Sequence, residues 1–186
     1  MKNRSNNPTP FVSVIIPTYH DWDKLNLCIE ALKHQTYQND CYEVIIINND
    51  PEDEPPNLKL PSPWKLIAES KPGSYAARNT GVRSSRGEIL AFTDSDCIPH
   101  PDWIDKAVEI LQSDSNIKRV AGRIELFYKS EKLTPSEIYE KSFAFPQKMY
   151  ASSGHAATAN MIAYKSVFDK VGFFNESMMS GGDTEW

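Results

Sequence analysis

Two carboxylates one residue apart, Asp94 and Asp96, are the side chains of this sequence best placed to do chemistry. They follow Ile89-Leu90-Ala91-Phe92-Thr93, an apolar run that predicts a fully buried strand of the kind found inside a parallel sheet. Side chains alternate along extended backbone, so both carboxylates can point to one side, just past the strand's carboxyl end. Ligands of open α/β sheets bind at that edge. Two neighbouring negative charges repel unless a cation or a set of donors compensates them. A hard divalent ion such as Mg²⁺ or Mn²⁺, itself holding phosphate oxygens, does this. The plainer alternative is that one aspartate caps the helix after Pro101 and the other is a solvated loop charge. Cys97, next in the chain, can be a ligand or a nucleophile, but a small packing residue is the better reading.

Other polar groups fall at the ends of other apolar runs. Pro17-Thr18-Tyr19 closes the first run and can set a backbone carbonyl and an aromatic ring against a nucleobase. Asn48 closes the second and offers an acceptor and a donor, matching the imide edge of uracil. The segment Asn48-Asn49-Asp50-Pro51 is also ordinary turn chemistry. Lys71 to Asn79 forms a loop and helix start where an anion can sit, with Arg78 one turn inside. Arg78 can reach a phosphate, hold the aspartates, or simply be a surface arginine. Asp183 follows Gly181-Gly182 and suits a general base for an acceptor hydroxyl, a role compatible with capping a helix. Neither G-x-G-x-x-G nor G-x-x-x-x-G-K-[ST] occurs, so the dinucleotide and P-loop signatures are missing.

The elements that must position these groups alternate. Strands are predicted over Phe11–Ile16, Tyr42–Ile47, Trp64–Glu69 and Ile89–Thr93, and helices over Trp22–His34, Ser74–Arg83 and Pro101–Gln112. Leu25, Cys28, Ile29 and Leu32 form one helical stripe; Ile104, Ala107, Val108 and Leu111 form another. The order β-α-β-β-α-β-α implies a mainly parallel, Rossmann-like α/β sheet with helices on both faces. The second half is less regular. Lys118–Tyr128 holds strand material broken at Gly122, and Thr134-Pro135-Ser136-Glu137 is a capping box. Phe143–Gly154 reads as an exposed aromatic loop and Ala157–Ala163 as a strand. Lys165–Val171 reads as a short helix stopped by a left-handed Gly172.

The chain has 186 residues, enough for one domain with a real core, expected over residues 11–186 after a flexible lead-in over residues 1–10. Net charge is −5 with no basic block, which argues against a nucleic-acid partner. No apolar run approaches the roughly 20 residues of a membrane span, and no signal peptide is visible. Three cysteines without C-x-x-C spacing suit reduced thiols in a cytoplasmic setting.

Val14-Ile15-Ile16-Pro17-Thr18-Tyr19, Arg78-Asn79-Thr80-Gly81, Phe92-Thr93-Asp94-Ser95-Asp96 and Gly181-Gly182-Asp183-Thr184-Glu185-Trp186 together resemble the successive motifs of family 2 glycosyltransferases with the GT-A fold. The resemblance runs from Phe11 to Trp186, with order and spacing intact. It implies a metal-dependent, inverting transfer of a sugar from a nucleotide-diphosphate donor, with UDP as the expected nucleotide. The acceptor is a hydroxyl of a saccharide, a lipid-linked or another molecule. Pro17, Thr18 and Tyr19, with Asn48, would line the base pocket. Arg78 would brace the nucleotide, and the Asp94-Ser95-Asp96 segment would bind it, Asp94 at the ribose and Asp96 through Mn²⁺ or Mg²⁺. Asp183 would be the base. The family usually has Asp where this chain has Asn48. The expected location is the cytoplasm, with peripheral attachment to the inner face of the membrane as an option. The final glycines open a helix at which the sequence stops, so it is expected to be truncated at its C-terminus. The rival readings are a nucleotidyltransferase, which would normally carry a glycine-rich basic loop after the first strand, and a non-catalytic nucleotide or carbohydrate-binding module.

Overall fold

The computed structural model describes residues 9–55, 57–128 and 130–186. The expected lead-in over residues 1–10 falls mostly outside them. Pro10 is buried, and its carbonyl accepts the Tyr37 hydroxyl at 2.6 Å.

Six strands build one sheet: β1 (Val12–Thr18), β2 (Tyr42–Asn48), β3 (Lys65–Ala68), β4 (Ile89–Thr93), β5 (Arg119–Ala121) and β6 (Asn160–Tyr164). Their order is β3-β2-β1-β4-β6-β5. The first four are mutually parallel, and β6 runs antiparallel to both β4 and β5. The α/β class and mainly parallel sheet expected from the alternation are therefore present, with an antiparallel strand joining β5 to the rest. β1 runs two residues further than expected. Pro17 has no N–H to donate, yet the register continues to Thr18 opposite Asn48, and the Thr18 carbonyl accepts the Asn49 N–H at 2.9 Å.

The alternation of side chains divides the core in two. Val12, Val14 and Ile16 of β1 and Val44 and Ile46 of β2 face α1 (Trp22–Lys33) and α3 (Trp103–Ser113). Those helices bury the two predicted stripes. Ile15, Ile45 and Ile47, with Leu90 and Phe92 of β4, face α2 (Ser74–Ser84). Gly81 lets α2 lie close to the sheet: a Cβ there would sit 2.4 Å from Ile15 Cγ2 and 2.9 Å from Ile47 Cδ1. This close seat fixes the height of Arg78, one turn earlier, above the sheet's carboxyl edge.

The second half differs more from expectation. Only three residues of Lys118–Tyr128 pair as a strand. The capping box opens α4 (Pro135–Phe143) as predicted, with Thr134 and Glu137 exchanging bonds. The stretch expected as an aromatic loop instead contains α5 (Gln147–Ser152), because Pro146 starts a new turn and its carbonyl accepts the Tyr150 N–H at 3.0 Å. Gly172 does end α6 (Ser166–Val171), with positive φ (95°) but extended ψ (−179°) rather than the left-handed helical pair. The chain closes on α7 (Gly182–Glu185).

Candidate functional site

The connection from β1 leads through α1 to β2 on one side, and β4 lies on the other. The carboxyl ends of β1 and β4 therefore flank the crevice at which open α/β sheets bind ligands. A cleft of about 300 Å³ opens there, and it brings together Pro17, Thr18, Tyr19, Arg78, Asp94, Ser95 and Asp96. Seven of the nine residues expected at the site thus share one cavity. Asp21, Asn49 and Ser74 line it as well. Tyr19 presents its ring to solvent, 64% exposed, at the mouth.

Asn48 does not line the cleft. It is the last paired residue of β2 and buried, and its amide serves its own turn: Nδ2 donates to the Asp53 carbonyl (2.8 Å) and Oδ1 accepts the Asp50 N–H (3.1 Å). Asn49 faces the cleft instead. It braces the approach to α2 by donating to the Glu69 and Lys71 carbonyls and accepting the Gly73 N–H at 2.8 Å. A run of asparagines signals such a turn, but only the fold tells which member faces the ligand side.

Arg78 is 4% exposed, and its guanidinium holds Asp94 Oδ1 at 2.5 Å. The surface-arginine alternative is excluded. Arg78 Nε and Thr18 Oγ1 are both buried without a hydrogen-bond partner among the described residues. Buried donors are rarely left so, and both belong to residues lining the cleft. They fit a polar ligand. Asp96 is exposed and forms no ion pair among the described residues. No group of three or more His, Cys, Asp or Glu able to hold a metal exists among those residues. The donor set therefore fits a hard cation that brings phosphate oxygens and waters with it, using Asp96 as a protein ligand, rather than a closed protein cage. Burial pushes the Cys97 thiol up, which keeps it protonated and supports the packing role.

Asp183 lies at the start of α7 and is tied to α2. Its Oδ1 accepts the Tyr75 hydroxyl at 3.2 Å, and its Oδ2 accepts the Thr158 N–H at 3.2 Å. The segment carrying it is pinned by further contacts. Asn79 meets both backbone groups of Phe174, and Glu176 pairs with Lys71 (2.7 Å) and Arg83 (2.9 Å). The bonds from Lys71, Asn79 and Arg83 hold the Glu176 carboxyl down at about 2. None of Tyr75, Asn79 or Glu176 stood out in the sequence as organising this segment. The Tyr75–Arg78 spacing of i, i+3, which puts both on one helix face, was the available signal.

A larger groove of about 970 Å³ shares Asp94 and Asp96 with the small cleft and continues past Ala159 and Asn160 to Ile110, Leu126 and Phe127.

The model of Glycosyl transferase family 2 matches residues 13–172. The chain belongs to that family. Glycosyltransferase AglE of Haloferax volcanii is 35% identical over 95% of this chain and 60% of its own length. The poly(ribitol-phosphate) beta-N-acetylglucosaminyltransferase TarP of Staphylococcus aureus is 28% identical over 86% of this chain and 50% of its own. The chain thus spans about half to 60% of the length of these relatives. Among solved structures, the mannosyltransferase PcManGT of Pyrobaculum calidifontis, in complex with GDP-Man and Mn²⁺, superposes with a TM-score of 0.68 at 20% identity over 95% of this chain and 50% of its own. S. aureus TarS 1-349 in complex with UDP gives 0.67 at 16%, over 93% and 52%. The six-stranded α/β architecture thus matches glycosyltransferase structures of the GT-A fold. Among the described residues of this family 2 chain, no helix is long and apolar enough to cross a membrane.

Proposed function

We propose that the protein transfers a sugar from a nucleoside-diphosphate donor, UDP in the first instance, to an acceptor hydroxyl with inversion at the anomeric carbon. Residues 11–186 form its nucleotide-sugar-binding domain. The reading is carried by one observation: the small cleft gathers Thr18, Tyr19, Arg78, Asp94 and Asp96 at the crevice beside β1 and leaves buried donors unspent there. Tyr19 offers its ring to the base, and Asn49 takes the place first given to Asn48. Asp94, oriented by Arg78, accepts from the ribose hydroxyls. Asp96 would hold a divalent cation, Mn²⁺ or Mg²⁺, and the mannosyltransferase neighbour, in complex with GDP-Man and Mn²⁺, supports this reading. When bound, that cation supplies charge neutralisation to the leaving diphosphate. Asp183 takes the acceptor's proton. Each of its oxygens accepts one bond from the protein and keeps a lone pair for this purpose. The acceptor oxygen forms its bond to the anomeric carbon as the bond to the diphosphate oxygen breaks, and that electron pair leaves with the nucleoside diphosphate. The larger groove, which shares Asp94 and Asp96 with the cleft, is assigned to the acceptor. A cytoplasmic location, with attachment at the membrane surface, belongs to the same proposal.

The test is to supply the full-length protein with UDP- and GDP-sugars, Mn²⁺ and a panel of saccharide acceptors, and to follow products by NMR. Release of nucleoside diphosphate with inverted sugar configuration is expected. Retained configuration would overturn the mechanism, and release of sugar 1-phosphate with the nucleoside monophosphate carried onto an acceptor would favour the nucleotidyltransferase reading instead.

A further inference from the structure

We propose that Tyr75 is a positioning residue for Asp183, and that α2 thereby ties the acceptor-side carboxylate to the donor-side pair. The proposal rests on the reading of Asp183 as base. One phenol oxygen has three partners. It accepts the Gly182 N–H at 2.8 Å and the Asp183 N–H at 3.3 Å, and it donates to Asp183 Oδ1 at 3.2 Å. A single group therefore fixes both the backbone of the α7 turn and the carboxylate it carries. Burial first, then the Asp183 charge, pushes the Tyr75 phenol up from its ordinary value, so it stays protonated and able to donate.

The ring and the turn fit each other. A Cβ at Gly182 would lie 2.7 Å from Tyr75 Cε2, so only glycine allows the approach that brings the two N–H groups onto the hydroxyl. Phe174 supports the ring, with centroids 5.7 Å apart. One turn along α2, the Arg78 guanidinium carbon stands 5.5 Å from the Tyr75 ring centroid while the same side chain grips Asp94. Contacts thus run from Asp183 through Tyr75 and Arg78 to Asp94, on two residues of one rigid helix. Packing alone would need only the ring. The hydroxyl is spent entirely on Asp183 and the residue before it.

Tyr75→Phe in the full-length protein separates these roles, because it keeps the ring and removes the hydroxyl. With UDP- and GDP-sugars as probes and water or saccharide as acceptor, kcat should fall about tenfold to a hundredfold, the cost of a misplaced reacting group. The affinity for UDP with Mn²⁺ should stay within about twofold. A merely structural role would not lower kcat while leaving nucleotide affinity intact. Independently of turnover, amide exchange at Gly182 and Asp183 should speed up at least about tenfold as their acceptor is lost. Normal kcat in Tyr75→Phe, alongside an inactive Asp183→Asn, would overturn the role of Tyr75 and leave the base reading standing. An active Asp183→Asn would overturn the base reading, and the Tyr75 proposal with it. Unchanged amide protection in Tyr75→Phe would overturn the positioning contact whatever the turnover.

Discussion

Asn79→Ala tests whether the segment that carries Asp183 is held to α2 as described. Asn79 is fully buried. Its Oδ1 accepts the Phe174 N–H at 3.0 Å, and its Nδ2 donates to the Phe174 carbonyl at 2.8 Å and to Glu176 Oε1 at 2.9 Å. Alanine leaves both backbone groups of Phe174 unpaired in the core, at about 1–3 kcal/mol each. The lost bond to Glu176 adds little, because that carboxylate is partly exposed and keeps Lys71 and Arg83. Alanine is the better helix former by about 0.5 kcal/mol, which offsets part of the cost. The expected loss is about 3 kcal/mol, or a fall in Tm of about 6–12 °C for a chain of this size. Urea unfolding followed by tryptophan fluorescence measures it, with Trp186 a local reporter because its ring lies 5.2 Å from that of Phe174. A loss below about 1 kcal/mol would refute the argument that Asn79 stands in for a missing backbone partner.

Gly81→Ala drives a methyl into Ile15 and Ile47, so α2 must lift. Overpacking costs about 1–3 kcal/mol against about 1 kcal/mol of helix propensity gained, and UDP affinity should fall as Arg78 moves with the helix. Unfolding and titration calorimetry check both, and a variant as stable as the parent with full affinity contradicts the close seat. Glu176 has its folded carboxyl held at about 2, below an ordinary 4.5. Its stabilisation is therefore fully present above about pH 4.5 and is lost as pH falls through 2. The Tm difference between the parent and Glu176→Gln should be constant above that window and shrink within it; a difference undiminished at pH 2 would contradict the assignment. Asp183→Asn in the full-length protein should cut transfer at least about a hundredfold while nucleotide affinity stays near normal, as measured by steady-state turnover beside calorimetry.

The sequence made the first half of the fold legible, because its strands are long apolar runs and its helices carry single clean stripes. Tyr42–Ile47 and Ile89–Thr93 lie within a residue of β2 and β4, and the alternation alone implied the parallel sheet. The position of β6 between β4 and β5 was not legible, since antiparallel pairing over such distances leaves no local pattern. The helix over Gln147–Ser152 was missed because six residues, with Met149 and Tyr150 as the large apolar ones, are too few to show a stripe. At the site, the aspartates and Pro17-Thr18-Tyr19 were legible because they follow strand ends, where direction is set by the pleat. Asn48 and Asn49 were confused because a strand-to-turn change decides which of two neighbours faces the cleft. Tyr75 was hidden for another reason: its partners Gly182 and Asp183 lie over a hundred residues away, and only packing brings them together.

Calorimetric titration of UDP into this protein tests the central claim most directly, that Asp94 and Asp96 form a cation-assisted nucleoside-diphosphate site. It should be run with Mn²⁺, with Mn²⁺ removed, and with Asp96→Ala in the presence of Mn²⁺. Binding is predicted in the first case and should weaken at least about tenfold, or about 1.4 kcal/mol, in the other two. Equal affinity in all three would contradict the cation's role at Asp96, and no binding in any would contradict the site itself.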